Sequence, residues 1–158
     1  MDGRSSGNFN RRAFSLIELL LVVAILAIFA AIAAPRYAAS LNRFRAEAAA
    51  RRIAYDLSFA QSRARSMSAA RTITFNVSGN SYQLTGEADL TSPTNTYSVN
   101  LAADPYFVSI TTLSFGGNPS VTFNGYGVPN TAGYVQIGVG GLTKQISIDA
   151  DSGATTIQ

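Results

Sequence analysis

At 158 residues the chain has room for one ordinary domain. Its first 34 residues carry an apolar run that a soluble core does not place at a terminus, which leaves about 120 residues to build a modest core. Cysteine and histidine are both absent, which excludes disulfides, thiolate chemistry, the usual general base and the commonest metal ligand. The net charge of +3 is unevenly spread: residues 1–71 hold eleven arginines against Asp2, Glu18, Glu47 and Asp56, and residues 72–158 hold Lys144 against Glu87, Asp89, Asp104, Asp149 and Asp151. A basic stem with a mildly acidic head argues against a globally basic nucleic-acid protein.

Residues 1–13, MDGRSSGNFNRRA, are polar and cannot fold alone. Arg4, Arg11 and Arg12 precede the apolar run, and positive charge there holds that end in the cytoplasm, so the head is expected across the membrane. Residues 14–34 make a helix of about 31 Å at 1.5 Å per residue, close to the hydrocarbon thickness. Glu18 stands inside this span, where an ionised group costs a few kcal/mol. Two readings are open for it: a carboxylate near the helix end that reaches the headgroups, or one that meets a positive charge on a protein partner.

Pro35 follows at once and either ends the helix or kinks it. The next segment favours a kink, because residues 36–71 lack glycine and repeat apolar residues at helical spacing. Leu41, Phe44 and Ala48 mark one register, and Ile53, Leu57, Ala60, Ala64 and Met67 continue it. The sequence thus predicts one helix from about Phe14 to about Ala70, with its first half in lipid and its second half, the stem 35–71, laying an apolar stripe on a sheet.

After Arg71 the period changes to two. In TITFNVSGNSYQLT, Ile73, Phe75 and Val77 share a face, Ser78-Gly79-Asn80 turns the chain, and Tyr82 and Leu84 return. Residues 86–105 are expected to be a long loop with one short strand. Segments 106–115, 120–124, 134–140, 144–149 and 154–158 then read as strands separated by Gly, Pro and Asn. Seven or so strands behind one long helix predict an α+β architecture, with a head over 72–158 built as an antiparallel sheet or sandwich. Phe75, Tyr82, Phe115 and Phe123 are the expected large core residues, and deletion up to about Arg36 is expected to leave a soluble monomer.

The stretch AFSLIELL resembles the cleavage signal of type IV prepilins and type II secretion pseudopilins, through Phe14, Leu16, Ile17, Glu18 and Leu19. Pro35 falls where those proteins also carry a proline. Downstream, RTITFN, VTFNGYGVPN, YVQIGVG and ISIDADSGATTI are similar to GspH/FimT-like minor pseudopilins. The resemblance implies a pilin-like fold and a leader over 1–13. It implies removal of that leader after Ala13 by a membrane aspartyl prepilin peptidase, and methylation of the new amino terminus at Phe14. Ala13 stands where the family has glycine, a small replacement that processing is expected to survive. Glu18 would guide docking into the filament through a neighbouring subunit's amine, a desolvated pair that sets register more than it adds stability. The implied partners are the peptidase, other pilins or pseudopilins and the inner membrane, crossed once with the head periplasmic.

Other readings compete with this one. NRRAFSL with Ala31–Ala34 could be a twin-arginine export signal with a cleavage site, but Glu18 is foreign to such signals. Some FimT-like minor pilins bind DNA, and Arg63, Arg65 and Arg71 are the candidate phosphate contacts for that alternative. The C-terminal ADSGATTIQ carries no basic residue, which weakens it, and nucleic acid is not the expected partner. DADSG, with Asp149 and Asp151, is a fragment of a calcium loop or a plain hairpin turn. No catalytic cluster exists, so neither enzymatic activity nor a cofactor is expected.

Overall fold

The computed structural model describes residues 14–89 and 92–158, so the leader 1–13, Ala13 included, lies outside the described residues. Helix α1 spans Leu16–Met67 and runs through Pro35 rather than ending there. The chain divides into two units, residues 1–38 and 39–158. In the described part of the first, every side chain is exposed, and its apolar run is long and apolar enough to cross a membrane.

The second unit contains the rest of α1 and eight strands: β1 (Arg71–Asn76), β2 (Ser81–Ala88), β3 (Thr96–Asn100), β4 (Ser109–Ser114), β5 (Ser120–Phe123), β6 (Gly133–Val139), β7 (Leu142–Ile148) and β8 (Thr155–Ile157). They form two four-stranded sheets, ordered β3-β2-β1-β5 and β4-β6-β7-β8. Every neighbouring pair is antiparallel. One core joins the buried face of α1 to both sheets. Phe75, Tyr82, Phe115 and Phe123 are all buried in it. The Phe75 ring lies 5.4 Å from Tyr82 and 5.6 Å from Phe115, centroid to centroid, within the range of favourable aromatic pairing.

The stem's buried stripe differs in part from the expected register. Ala46, Ala49, Ala50, Ile53, Leu57, Ala60 and Ala64 are buried, whereas Leu41 and Ala48 are only half-buried and Phe44 is 67 % exposed. At about 100° per residue, Ala46 points almost opposite to Phe44, so the head selects the alanine ridge, which lets sheet and helix approach closely. Met67 is 51 % exposed at the end of the helix, where its sulfur meets the Arg71 guanidinium rather than the core.

The helix stops at Ser68, whose φ of 48° is left-handed. The Ala69 amide donates to the Ala64 carbonyl at 3.1 Å, the 6→1 bond of a helix-terminating motif that usually has glycine at the left-handed position. Gly125 lies against this stop, where a Cβ would come within 2.9 Å of the Ser68 carbonyl. Arg71, assigned by sequence to the stem, is instead the first residue of β1.

Val77 also departs from expectation. It sits in a four-residue turn, 77–80, and is 43 % exposed. Asn76 Oδ1 accepts the Gly79 amide at 2.9 Å, which closes the turn one residue before Val77 could continue the strand.

Leu57 is 1 % exposed and follows the already buried Asp56. Leu57→Asp would bury a second, unpaired carboxylate. It is expected to cost about 4 kcal/mol or more, seen as loss of the cooperative thermal transition of the full chain in detergent, with Leu57→Met nearly neutral.

Candidate functional site

Two parts of the molecule carry chemistry beyond packing. The first is the start of α1. Phe14 is 75 % exposed, and Leu16, Ile17 and Leu19 are exposed with it. Glu18 lies in the first turn, with its side chain exposed. A carboxylate there complements the positive end of the helix dipole, and in an apolar surrounding it is the one group able to recognise a cation. Pro35 lies 17 residues further along the same helix.

The second part is a cluster that the sequence did not disclose. Asp56 is 1 % exposed on the buried face of the stem. Its Oδ2 accepts the Tyr82 hydroxyl at 2.5 Å and the Arg52 Nε at 3.1 Å. The Tyr97 hydroxyl donates to both carboxylate oxygens, at 3.0 and 2.9 Å, and accepts from Arg52 Nη2. Helix, β2 and β3 are therefore tied at one carboxylate. Burial and then the Asp56 charge push the Tyr97 phenol up to about 12, and the same causes push the Tyr82 phenol up further. Burial alone would lower the Arg52 pKa, but the Asp56 charge and the two phenols outweigh it and raise it. The available signal was an aspartate within the Ile53–Leu57–Ala60 stripe, with an arginine four residues before it.

Beside this cluster is a hollow of about 320 Å³ lined by Arg52, Tyr55, Asp56, Phe59, Glu87, Ala88 and Tyr97. The Tyr55 and Phe59 rings stack with centroids 6.4 Å apart and planes 9° from parallel.

Of the three arginines considered for DNA, two are brought together, on the Glu87 carboxylate, and the third is not. Arg63 grips Glu87 with two bonds of 2.8 and 2.9 Å. Arg71 Nε reaches the same carboxylate at 3.2 Å, with its side chain only 11 % exposed. Arg65 points elsewhere, donating to the Tyr126 carbonyl at 3.1 Å. The hydrogen bond from Arg63 leads the interactions that hold Glu87 below the usual carboxylate range. Two of the three are thus engaged by a carboxylate, which leaves little free charge for phosphates.

In DADSG, Asp149 Oδ1 accepts the Asp151 and Ser152 amides at 3.2 and 2.8 Å and the Ser152 hydroxyl at 2.7 Å. These bonds form a turn between β7 and β8, the plain hairpin reading.

Residues 8–34 match the prokaryotic N-terminal methylation motif, and residues 33–153 match the type II transport protein GspH. The chain belongs to the GspH family. It is one of the minor pseudopilins and pilins, a family of structural subunits for which assembly into filaments is general. Among solved structures, the fold is similar to that of the type IV minor pilin FimU of Pseudomonas aeruginosa (strain PAO1). One crystal form, P21, gives a TM-score of 0.51 at 20 % identity, covering 73 % of this chain and 88 % of that one. A second, P65, gives 0.50 at 18 % identity, covering 71 % and 91 %. These likenesses show the shared α+β fold, a long helix on antiparallel sheets. No curated protein matches the chain.

Asp56→Ala leaves Arg52 and two phenols without their acceptor. It is expected to cost about 3 kcal/mol, against about 1 kcal/mol for Tyr97→Phe, by denaturant unfolding of the full chain in detergent. The pH profile follows from the shifts. Tyr97 has a folded value above the ordinary 10, so its contribution is complete below pH 10 and is lost as pH rises toward 12. Glu87 lies below its ordinary 4.5, so its contribution is present above that value and is lost as pH falls through the folded one. Thermal midpoints should fall at both ends, and Tyr97→Phe should make only the alkaline limb shallower, leaving the part that the buried Tyr82 phenol supplies.

Proposed function

We propose that this chain is a single-pass inner-membrane subunit of a type II secretion pseudopilus or type IV pilus. Its amino-terminal end is cytoplasmic and its head periplasmic. A prepilin peptidase removes residues 1–13 after Ala13, and the new Phe14 amine is methylated. The observation that carries this reading is Glu18: an exposed carboxylate one turn into the otherwise apolar, uncovered first half of α1, on a chain that joins a methylation motif to a GspH region.

The chemistry is recognition rather than catalysis. An α-amino group at Phe14 of an arriving or neighbouring subunit is the cation that Glu18 can meet within lipid. A carboxylate–ammonium pair in that medium tolerates little misalignment, so it selects one axial register among many equally greasy ones. Pro35 leaves the helix one hydrogen bond short at the carbonyl four residues before it, and so gives a point of compliance between the lipid-embedded half and the stem.

Mass spectrometry of the chain from membranes of cells holding the peptidase should show a mature terminus at N-methyl-Phe14. Recovery of an intact Met1 terminus, or of a start near Ala34, would overturn the reading. Glu18→Ala should still be processed and membrane-bound but be lost from the sheared filament fraction, whereas Ala13→Gly should be processed at least as fast. In a gel-shift titration at physiological salt, the full chain in detergent is expected to show no micromolar DNA binding. Salt-sensitive binding lost on Arg63→Gln, Arg65→Gln and Arg71→Gln would favour DNA uptake instead.

A further inference from the structure

We propose that one end of the head, built from Arg43, Phe44, Arg45, Phe107 and Lys144, docks on the surface of the bilayer that anchors the chain and binds the phosphates of anionic phospholipids. The inference rests on the membrane-anchored reading above, and it adds a second, reversible contact with the same membrane.

The fold of the second unit brings these residues together. Arg43, Phe44 and Arg45 are consecutive on the stem. The β6–β7 turn closes against them: Gly140, at a φ of 55°, lies where a Cβ would strike the Asn42 side chain, so the turn reaches the stem as only glycine permits. Just past that turn, Lys144 Nζ stands 3.7 Å from Glu47 Oε2. A hollow of about 450 Å³ there is lined by Arg43, Phe44, Glu47, Leu142 and Lys144 among others. From the loop between β3 and β4, Phe107 sets its ring under the Arg45 guanidinium, 4.6 Å from carbon to centroid.

Phe107 is the least ordinary of these residues. Its φ of 51° is left-handed, which a bulky side chain adopts only under strain. The loop is pinned around it, by the Phe107 amide on the Ala103 carbonyl at 3.1 Å and the Val108 amide on the Leu101 carbonyl at 2.9 Å. Leu101 and Val108 are buried, yet the strained Phe107 is 46 % exposed and Phe44 is 67 % exposed. Core packing explains neither ring. Aromatic rings flanked by cations suit a membrane–water interface, where the ring enters the headgroup layer and the cations meet phosphate.

The charges fit the same surface. Arg43, Arg45, Arg51 and Lys144 stand here against Glu47 and Asp104, and Glu47 is already shared by Arg51, at 2.8 Å, and Lys144. Among the described residues, Arg43 and Arg45 have no carboxylate within ion-pair distance. Stacked on Phe107, the Arg45 guanidinium keeps its in-plane N–H groups for another acceptor, and its paired donors match a phosphate. After Arg71 the head otherwise carries Glu87, Asp89, Asp149 and Asp151, with no cation besides Lys144. An anionic surface therefore attracts this end and repels the remainder, which fixes the orientation of the head.

Chain length makes that surface lipid rather than an acidic protein. Arg43 follows Ala34, the end of the apolar run, by nine residues. Nine residues span at most about 32 Å when extended and about 14 Å as helix, so Arg43 and Phe44 are tethered to the bilayer. Headgroups there reach a high effective concentration without any partner having to arrive. The Tyr126 loop bonds the stem at Arg65, which lies about 33 Å further along the helix axis than Arg43. It is the natural control for a position away from the membrane.

The chain has no tryptophan, so Phe107→Trp supplies a single fluorescent reporter. The full chain with this substitution is reconstituted in vesicles of phosphatidylcholine, or of phosphatidylcholine and phosphatidylglycerol in equal parts, each with a nitroxide on some phosphatidylcholine headgroups. Quenching of the reporter is expected to be on the order of twofold stronger in the anionic vesicles, and high salt should remove the difference. Adding Arg43→Gln and Arg45→Gln should also remove it while the chain keeps its cooperative thermal transition. A reporter placed instead by Tyr126→Trp should be quenched weakly in both. The proposal is overturned by equal quenching in the two vesicles, by a difference that survives Arg43→Gln with Arg45→Gln, or by equal quenching at positions 107 and 126. It is also overturned if inorganic phosphate releases the reporter where chloride of equal ionic strength does not, since the site then takes free phosphate. Carbonate extraction of the same vesicles separates the two readings. A chain that stays inserted without charge-dependent quenching overturns the docking alone, and a chain that is stripped overturns the anchoring with it.

Discussion

The structure depends on one face of the stem being small. Between Ala46 and Ala64 five of the buried positions are alanine, and alanine lets a helix axis approach a neighbouring sheet more closely than Leu or Phe would. That close approach brings the hydroxyls of Tyr82 and Tyr97 within hydrogen-bonding reach of Asp56, and it leaves Ile53 and Leu57 as the large apolar side chains that the stem itself buries fully against the strands. A larger residue at Ala49, Ala50 or Ala60, each 0 % exposed, would separate the layers, and the carboxylate would then lose its donors before the apolar core lost its contacts.

This constraint explains which parts of the fold were legible in the sequence. Most strands were visible because they have one apolar face and turn residues at their ends; Ile73, Phe75, Tyr82 and Leu84 alternate as a half-buried sheet must, whereas β3 stayed an unplaced short strand within 86–105 because it buries only Val99. The stem was visible as a helix but not in its full register, since alanine carries almost no hydrophobic signal and Phe44 carries a strong one. Size pointed to Leu41 and Phe44, while packing chose Ala46 and Ala50. Val77 was misplaced for a similar reason: its β-branched side chain suits a strand, but the Asn76 side chain closes the turn ahead of it.

The candidate sites divide along the same line. Glu18 was legible because a charge inside an apolar run has no ordinary explanation. Asp56 was not, because an aspartate four residues after an arginine on a helix surface is commonplace, and only the tertiary fold brings two tyrosines from β2 and β3 to it. Arg63, Arg65 and Arg71 were legible as charge but not as partners. Glu87 was only one acid in a weakly patterned segment, and no local spacing links it to arginines 24 and 16 residues earlier.

The Asp56 knot has a mechanical consequence. In the filament proposed above, a pull along the helix would have to pass to the head through the stem. The stem grips the sheet at a carboxylate bonded at once to β2 through Tyr82 and to β3 through Tyr97. Axial pull on the helix therefore shears these bonds together rather than opening them in sequence. Bonds loaded in parallel share the force, so the knot acts as a rivet between shaft and cap.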